Sequence, residues 1–410
     1  MKLNLLGLLI VTWALIGCNR LSEEERIHKK AMAIHEKIFT IDSHTDTPMW
    51  FTRNEYDPGT KHDPHEHGSK VDFPRMQEGN LDAIFFAVFL GQRERNKEAN
   101  LEAFDRAERI FDSIYATVAR NAGMAEFALT PAEAYNIEKS GRRAIFIGIE
   151  NGYPIGNDLS LIGHFYDRGA RYITLCHTQN NDICDSSTDS TEYKGLSEFG
   201  EKVIREMNRQ GMMIDVSHIS DSSYYDVLRL TNAPIIASHS SSRAVCDNPR
   251  NLTDEMLVAL AKNGGVAQVC LLSDYVKEMP ANLERDSARN ALRSKYNNFR
   301  DLTDMQMDSA RKEWYAVNKK YPANLATVKD LVDHIDHIVE VAGIGHVGIG
   351  SDFDGGGGLE DCYDVSEMPN ITVELVRRGY SEEGIRKIWG GNLMRVMEEV
   401  QKIREVRDKK

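Results

Sequence analysis

In the stretch "IDSHTDTP", residues 41–48, a histidine and an aspartate stand two apart at the end of a short apolar run, Ile38-Phe39-Thr40-Ile41. Residues i and i+2 of an extended strand project to the same side, so His44 and Asp46 share a face while Ser43 and Thr45 turn away. One imidazole and one carboxylate on one face form half of a metal site or a buried ion pair. The pattern recurs: Glu150 ends "RAIFIGIEN", His177 ends "RYITLCHT", His218 ends "MMIDVSH", His239 ends "PIIASHS" and Asp352 ends "HVGIGSDF". A lone histidine at such a place is ordinarily a satisfied core or loop residue. A converging set of imidazoles and carboxylates is costly to bury unless a cation compensates it. Imidazole with carboxylate suits zinc first and manganese, cobalt or iron after it, whereas magnesium and calcium prefer pure oxygen ligation. The candidates exceed what one tetrahedral zinc needs, so two ions bridged by a carboxylate fit better, and Glu150 is the only Glu in the set.

Convergence has to be supplied by the fold. The apolar, β-branched runs number eight, at 37–44, 83–90, 143–151, 171–178, 212–218, 234–240, 265–272 and 346–353. Between most of them lie stretches with helical spacing, at 100–120, 197–211, 253–265 and 328–343. Continuous apolar strands alternating with amphipathic helices predict an α/β fold with a parallel sheet covered on both faces, and eight such units predict a (β/α)8 TIM-like barrel as a single catalytic domain. The polar residues sit where the runs stop, at C-terminal strand ends, which such a barrel gathers on one rim with its active site. The second and seventh runs supply no obvious ligand.

The chain has 410 residues, 41% of them hydrophobic, enough for one large domain with a developed core. A net charge of −13, with no dense basic run outside the terminal "RDKK", excludes nucleic acid as a partner. The opening "MKLNLLGLLIVTWALIGCNR" reads as a signal peptide, its apolar part too short for a comfortable membrane span. Leu15-Ile16-Gly17-Cys18 resembles a bacterial lipobox, which implies a signal peptide over 1–17 and lipidation of Cys18. That reading predicts a tether over 18–30, a barrel over 31–400, a polar tail over 401–410, and attachment of the protein by lipid to the bacterial cell envelope. Of the six cysteines, the five beyond Cys18 cannot all pair; no CxxC spacing occurs, and one or two disulfides stay open.

At these residues the chain resembles the membrane dipeptidase (renal dipeptidase) family of zinc enzymes, within the metal-dependent amidohydrolase barrels. "IDSHTDTP", "VDFPRMQEG", "IGIENG", "LCHTQNND", "DVSHIS", "ASHSSSRAVCDNPRN", "GIGSDFDGG" and "GNLMRV" follow in the family's order through most of the chain. The resemblance implies two zinc ions, one held by His44 and Asp46, the other by His218 and His239, with Glu150 between them. It implies that His177 polarises the scissile carbonyl, that Arg250 binds the substrate's terminal carboxylate, that Asp352 handles the proton, and that Tyr275 touches substrate. It also implies dipeptides as substrates, L-D ones among them, and a homodimer. The chemistry agrees: two cations lower the pKa of a bridging water, a carboxylate relays its proton to the departing amine, and a guanidinium grips both carboxylate oxygens. A free carboxylate requirement makes an exopeptidase.

One departure stands out. Residues 276–325 form a charged, helix-prone insertion where the family has a shorter connection, and a loop after the seventh strand opens onto the active-site rim. It reads as a lid, a dimer contact or a solvated helical hairpin. His62, His65 and His67 in "HDPHEHG" read as a solvated rim segment, and His334 and His337 as residues on a helix face. "DGGGG" lacks the Lys-Ser/Thr of a phosphate loop, and "SHSSSR" has no nucleophile elbow. The rival readings are another binuclear amidohydrolase (deaminase, lactonase or acylamino-acid hydrolase) and a non-catalytic lipoprotein that binds metal or peptide. The first typically opens His-x-His and bridges its metals with a strand-four lysine, where this chain has His44-Thr45-Asp46 and "LCHT". The second would lack a proton-handling residue, and Asp352 is present.

Overall fold

The computed structural model describes residues 21–51, 56–299 and 302–408, so Cys18 and the rest of the expected leader lie outside the described residues. Residues Glu23–His35, most of them in the segment expected as a tether, form a helix with a Ser22/Glu25 capping box. Its apolar face, with Ala31 and Ile34, lies in the main core.

The strands are β1 Ile41–Thr45, β2 Ala83–Phe89, β3 Ala125–Phe127, β4 Arg143–Glu150, β5 Ala170–Thr174, β6 Met213–Asp215, β7 Ile236–Ala237, β8 Val266–Cys270 and β9 Val347–Gly350. All pairings are parallel in the order β1-β2-β4-β5-β6-β7-β8-β9. The ring closes where Asp352 N donates to His44 O at 3.0 Å and Asp46 N to Phe353 O at 2.9 Å. This is the expected eight-stranded α/β barrel. The strand absent from the sequence reading, β3, is three residues long and pairs with the start of β4, ahead of the point where β5 joins the same edge. A segment that short carries no periodicity to detect.

Strand alternation sorts the core into two layers. Ile84, Phe86, Ile145, Ile147 and Ile149 face the surrounding helices, whereas Phe85, Phe146, Tyr172, Met213, Ile236 and Val266 fill the barrel interior. The helix Asn392–Asp408 closes the interior from below with Leu393, Met394, Met397 and Val400. On β4 the inward series Phe146, Gly148, Glu150 therefore ends with a carboxylate on the barrel axis.

Several strands stop earlier than the apolar runs suggest, β6 after three residues and β7 after two. Side chains take over the backbone hydrogen bonds there. Asp215 Oδ1 accepts from Ser217 N at 3.0 Å and Ser238 N at 2.8 Å, and Asp42 Oδ1 accepts from His44 N at 3.1 Å and Ser351 N at 2.8 Å. The chain then turns out of the ladder, with left-handed backbone at His218 (φ 72°) and Asp352 (φ 58°). His177, His218, His239 and Asp352 thus stand on the first loop residues rather than within strands.

Gly148 leaves room for Tyr172, since a Cβ there would lie 2.1 Å from the Tyr172 ring. Gly148→Ala is expected to lower stability by ~1–3 kcal/mol through overpacking, measured by denaturant unfolding, and to depress activity by displacing Tyr172. An unchanged unfolding midpoint would contradict this account of the interior.

Candidate metal centre

At the C-terminal mouth of the barrel, His44, Asp46, Glu150, His218, His239, Asp352 and Arg250 are all buried, and the His177 side chain is 22% exposed. Glu150 is their common neighbour. Its Oε2 lies 3.5 Å from His44 Nε2, and its Oε1 lies 3.0 Å from His218 Nε2, 3.5 Å from His239 Nε2 and 3.8 Å from His177 Nε2. His218 Nε2 and His239 Nε2 approach each other to 2.8 Å. Ligand atoms converge in three overlapping groups, His44-Glu150-His239, Glu150-His177-His218 and His44-Asp46-Asp352, each within 4.8 Å.

The outer nitrogens of two imidazoles are held by neighbours. His239 Nδ1 is 2.8 Å from Ser238 Oγ, and that hydroxyl donates its proton to Asp215 Oδ2 at 2.6 Å, so it accepts from His239 Nδ1–H. The Nε2 lone pair is thereby aimed inward. Thr174 Oγ1 also donates to Asp215 Oδ2. His44 Nδ1 meets Tyr172 Oη at 2.7 Å across the barrel interior.

The inward atoms are not satisfied by protein. His44 Nε2, Asp46 Oδ1 and Glu150 Oε2 are buried without a hydrogen-bond partner, although such groups are costly to leave unpaired. Burial raises Glu150 to about 8, helped by the charge of Asp215 and opposed by Arg250. Burial likewise raises Asp352 to about 7, against the pull of His44, and lifts Asp46 well above the usual carboxylate range with the charge of Glu150 beside it. His177 is pushed down to about 3, and His218 and His239 fall well below the ordinary range, from burial first and the Arg250 charge as well. Imidazoles that burial keeps neutral, beside carboxyl groups crowded together, are a donor set suited to cations. The residues present fit bound metal.

Arg250 lies at the edge of this set. Its Nη1 donates to Ser240 Oγ at 3.3 Å and its Nη2 to His239 O at 3.1 Å, while Nε is buried without a hydrogen-bond partner. Its guanidinium carbon stands 5.3 Å from the centre of the half-buried Tyr275 ring, and burial raises that phenol to about 12.

Other histidines are accounted for differently. His334, expected on a helix face, is wholly buried: it accepts from Ser242 N at 3.0 Å and its Nε2 lies 2.7 Å from Val276 O, pinning two rim loops. His337 pairs with Asp254 at 2.7 Å on the helix exterior. His62 contacts Asp57 O at 2.8 Å and His65 stacks on Tyr363, so neither joins the centre. The five described cysteines are buried and free, with no disulfide among the described residues. The residues that sequence reasoning passed over are the positioning groups Asp42, Tyr172, Asp215 and Ser238. A buried aspartate shortly before a ligand histidine, in "IDSH" and "IDVSH", was the available signal.

A parallel barrel with buried imidazoles and carboxylates gathered at its C-terminal mouth is the arrangement of a metal-dependent barrel enzyme. The chain is 30% identical to dipeptidase verJ of Clonostachys rogersoniana over 91% of its length and 87% of that protein. It is 32% identical to dipeptidase 3 of Homo sapiens, with 92% of this chain and 68% of that one covered. Among solved structures, the probable dipeptidase PvdM from Pseudomonas aeruginosa superposes with a TM-score of 0.78 at 31% identity, covering 92% of this chain and 99% of that one. A metallo peptidase from Rhodobacter sphaeroides liganded with a phosphinate mimic of the dipeptide L-Ala-D-Ala shares the fold at 22% identity and a TM-score of 0.71, covering 88% and 99%. The membrane dipeptidase model (peptidase family M19) matches residues 28–410, and the chain belongs to that family. It is a dipeptidase, a metallopeptidase that hydrolyses peptide bonds.

Replacing Asp215 by Asn or Ser238 by Ala is expected to weaken metal binding by about 10–100-fold while the barrel stays folded, as loss of an outer hydrogen bond to a ligating imidazole does. Competition with a chromophoric chelator measures it. Wild-type affinity in both variants would remove the relay through Ser238 from the account.

Proposed function

We propose that the centre holds two zinc ions and that the enzyme cleaves dipeptides carrying a free C-terminal carboxylate, L-D dipeptides included. The observation that carries the reading is the division of Glu150: one oxygen faces His44 and the other faces His218 and His239. His44 and Asp46 would then hold one ion, His218 and His239 the other, and Glu150 would offer an oxygen to each. Charge is in keeping with this: the carboxyl groups of Asp42, Asp46, Glu150, Asp215 and Asp352 are buried at the mouth beside the guanidinium of Arg250, a crowding of acidic groups that divalent cations would relieve. Imidazole and carboxylate donors favour zinc.

Zinc held by these residues would supply Lewis acidity for the attacking water and the scissile carbonyl. The remaining work falls to the chain. Asp352, buried beside His44 and Asp46 at the mouth, takes the proton of the attacking water and returns it to the departing amine. His177 is the site imidazole that solvent reaches, which suits contact with the developing oxyanion. Arg250, with its unpaired Nε, receives the terminal carboxylate, and Tyr275 flanks it. The dipeptide mimic bound by the Rhodobacter sphaeroides protein is in keeping with an L-D substrate. We further infer lipid attachment through Cys18 on the bacterial cell envelope and a homodimer as the working assembly.

The test is hydrolysis of L-Ala-L-Ala, L-Ala-D-Ala and Gly-D-Ala, with a C-terminally amidated control, by metal-stripped protein before and after zinc is added. Activity on free-carboxylate dipeptides alone, restored at about two equivalents, is the expected result. Arg250→Ala is expected to cost ~2–5 kcal/mol in kcat/KM, mostly through KM. Restoration complete at one equivalent would sink the two-ion reading, and equal cleavage of the amide would sink the Arg250 role. For the anchor, Cys18→Ser is expected to shift the protein from the membrane to the soluble fraction; retention on the membrane would refute lipidation at that residue.

A further inference from the structure

Beyond β8, the short helix Ser273–Val276 passes beside Arg250, and the helices Leu283–Lys295 and Asp304–Lys320 then form a hairpin. The hairpin has its own small core, in which Leu292, Tyr296 and Ala310 meet Trp314 and Val317. Its base is narrow, with Asn282 Nδ2 donating to Pro322 O at 3.3 Å. The hairpin leaves from β8, yet Tyr315 stacks on Trp50, ring centres 6.2 Å apart and planes inclined at 27°. Trp50 belongs to the turn of helix Pro48–Phe51 that follows Asp46 at the end of β1. Gly68 closes the contact: at φ 80°, a Cβ on it would lie 2.9 Å from the Trp50 ring and 3.2 Å from the Tyr315 ring. Beside Tyr315, the same helix lines an apolar cavity of about 310 Å³ with Met307, Ala310, Arg311 and Trp314, and Phe299 from the preceding turn completes it.

The strand order gives this contact a direction. β8, β9 and β1 are successive staves, so a hairpin rooted at β8 and held at β1 crosses the rim sector of β9, where Asp352 stands. Arg250 comes from the loop after β7, and the stave opposite β7 is β2, next to β1. A dipeptide with its carboxylate on Arg250 and its scissile carbonyl over Glu150 projects its N-terminal residue toward β1 and β2. That is the side on which Trp50 and Tyr315 stand.

We propose that Trp50 and Tyr315 form the outer wall of the subsite for the substrate's N-terminal side chain, so that the hairpin selects large apolar residues there. The proposal rests on the Arg250 reading for its direction. Two stacked rings offer an apolar surface to an aliphatic or aromatic side chain and nothing to glycine.

The experiment compares kcat/KM for Gly-Ala, Leu-Ala and Phe-Ala in zinc-loaded wild type, Tyr315→Ala, Tyr315→Glu and Leu283→Ser, with melting temperature and metal content measured in each. Leu283 is 77% exposed on the same hairpin and serves as the control. The Phe-Ala to Gly-Ala ratio is expected to fall about tenfold in Tyr315→Ala, chiefly through KM, further in Tyr315→Glu, and not at all in Leu283→Ser. A wild-type ratio in both Tyr315 variants, with metal content and melting intact, overturns the wall. Amidated Phe-Ala assayed on the wild type separates the two readings. If the amide resists cleavage while the ratio stays put, the wall alone fails; if the amide is cleaved like the acid, the Arg250 reading fails and takes the proposed direction with it.

Discussion

Burying like charges together is the constraint around which this barrel is built. Asp42, Asp46, Glu150, Asp215 and Asp352 sit within one mouth, out of water, with Arg250 as their guanidinium neighbour. In such surroundings the protein's own recourse is to hold protons, and Glu150 and Asp352 are raised toward neutrality accordingly. Cations relieve the same stress without protons. Fold stability and metal occupancy are therefore coupled in this chain, since binding adds free energy to the folded state alone.

The cost of that mouth is met by the layers beneath it. Phe85 packs against Phe146 and Tyr172 in the interior with ring centres 4.9 Å and 5.1 Å apart, and the helix Asn392–Asp408 seals the base. Tyr172 belongs to both regions, its ring in the apolar layer and its hydroxyl on His44. Asp42 and Asp215 also serve twice. By accepting backbone N–H groups they end the strands, and the chain that leaves the ladder then places His218, His239 and Asp352 over the axis. Catalytic geometry and strand termination are thus one set of hydrogen bonds. The hairpin Leu283–Lys320 lies outside this coupling, with a core of its own and a narrow base, as befits a segment that shapes access rather than chemistry.

Much of this was legible in the sequence because it depends on local pattern. Apolar runs alternating with helical spacing specify buried parallel strands, and polar residues at the ends of those runs specify a site on the C-terminal rim, since the barrel leaves them nowhere else to go. All of the ligand candidates, from His44 to Asp352, could be named from that rule. What local pattern does not encode is which groups meet across the barrel. The split of Glu150 between His44 and His218, the reach of Tyr172 to His44 and the hydrogen bond from Ser238 to Asp215 that steadies His239 join residues 23 to 128 positions apart through ring closure alone. His334 looked like a surface histidine because helical periodicity reports a face and not what lies against it. β3 was too short to have a period, and the Trp50–Tyr315 contact exists only because β8 and β1 are separated by a single stave. The sequence by itself determined the secondary elements, the barrel and the chemical types at its mouth, because those follow from spacing. Tertiary structure alone decided the pairings, because they follow from closure.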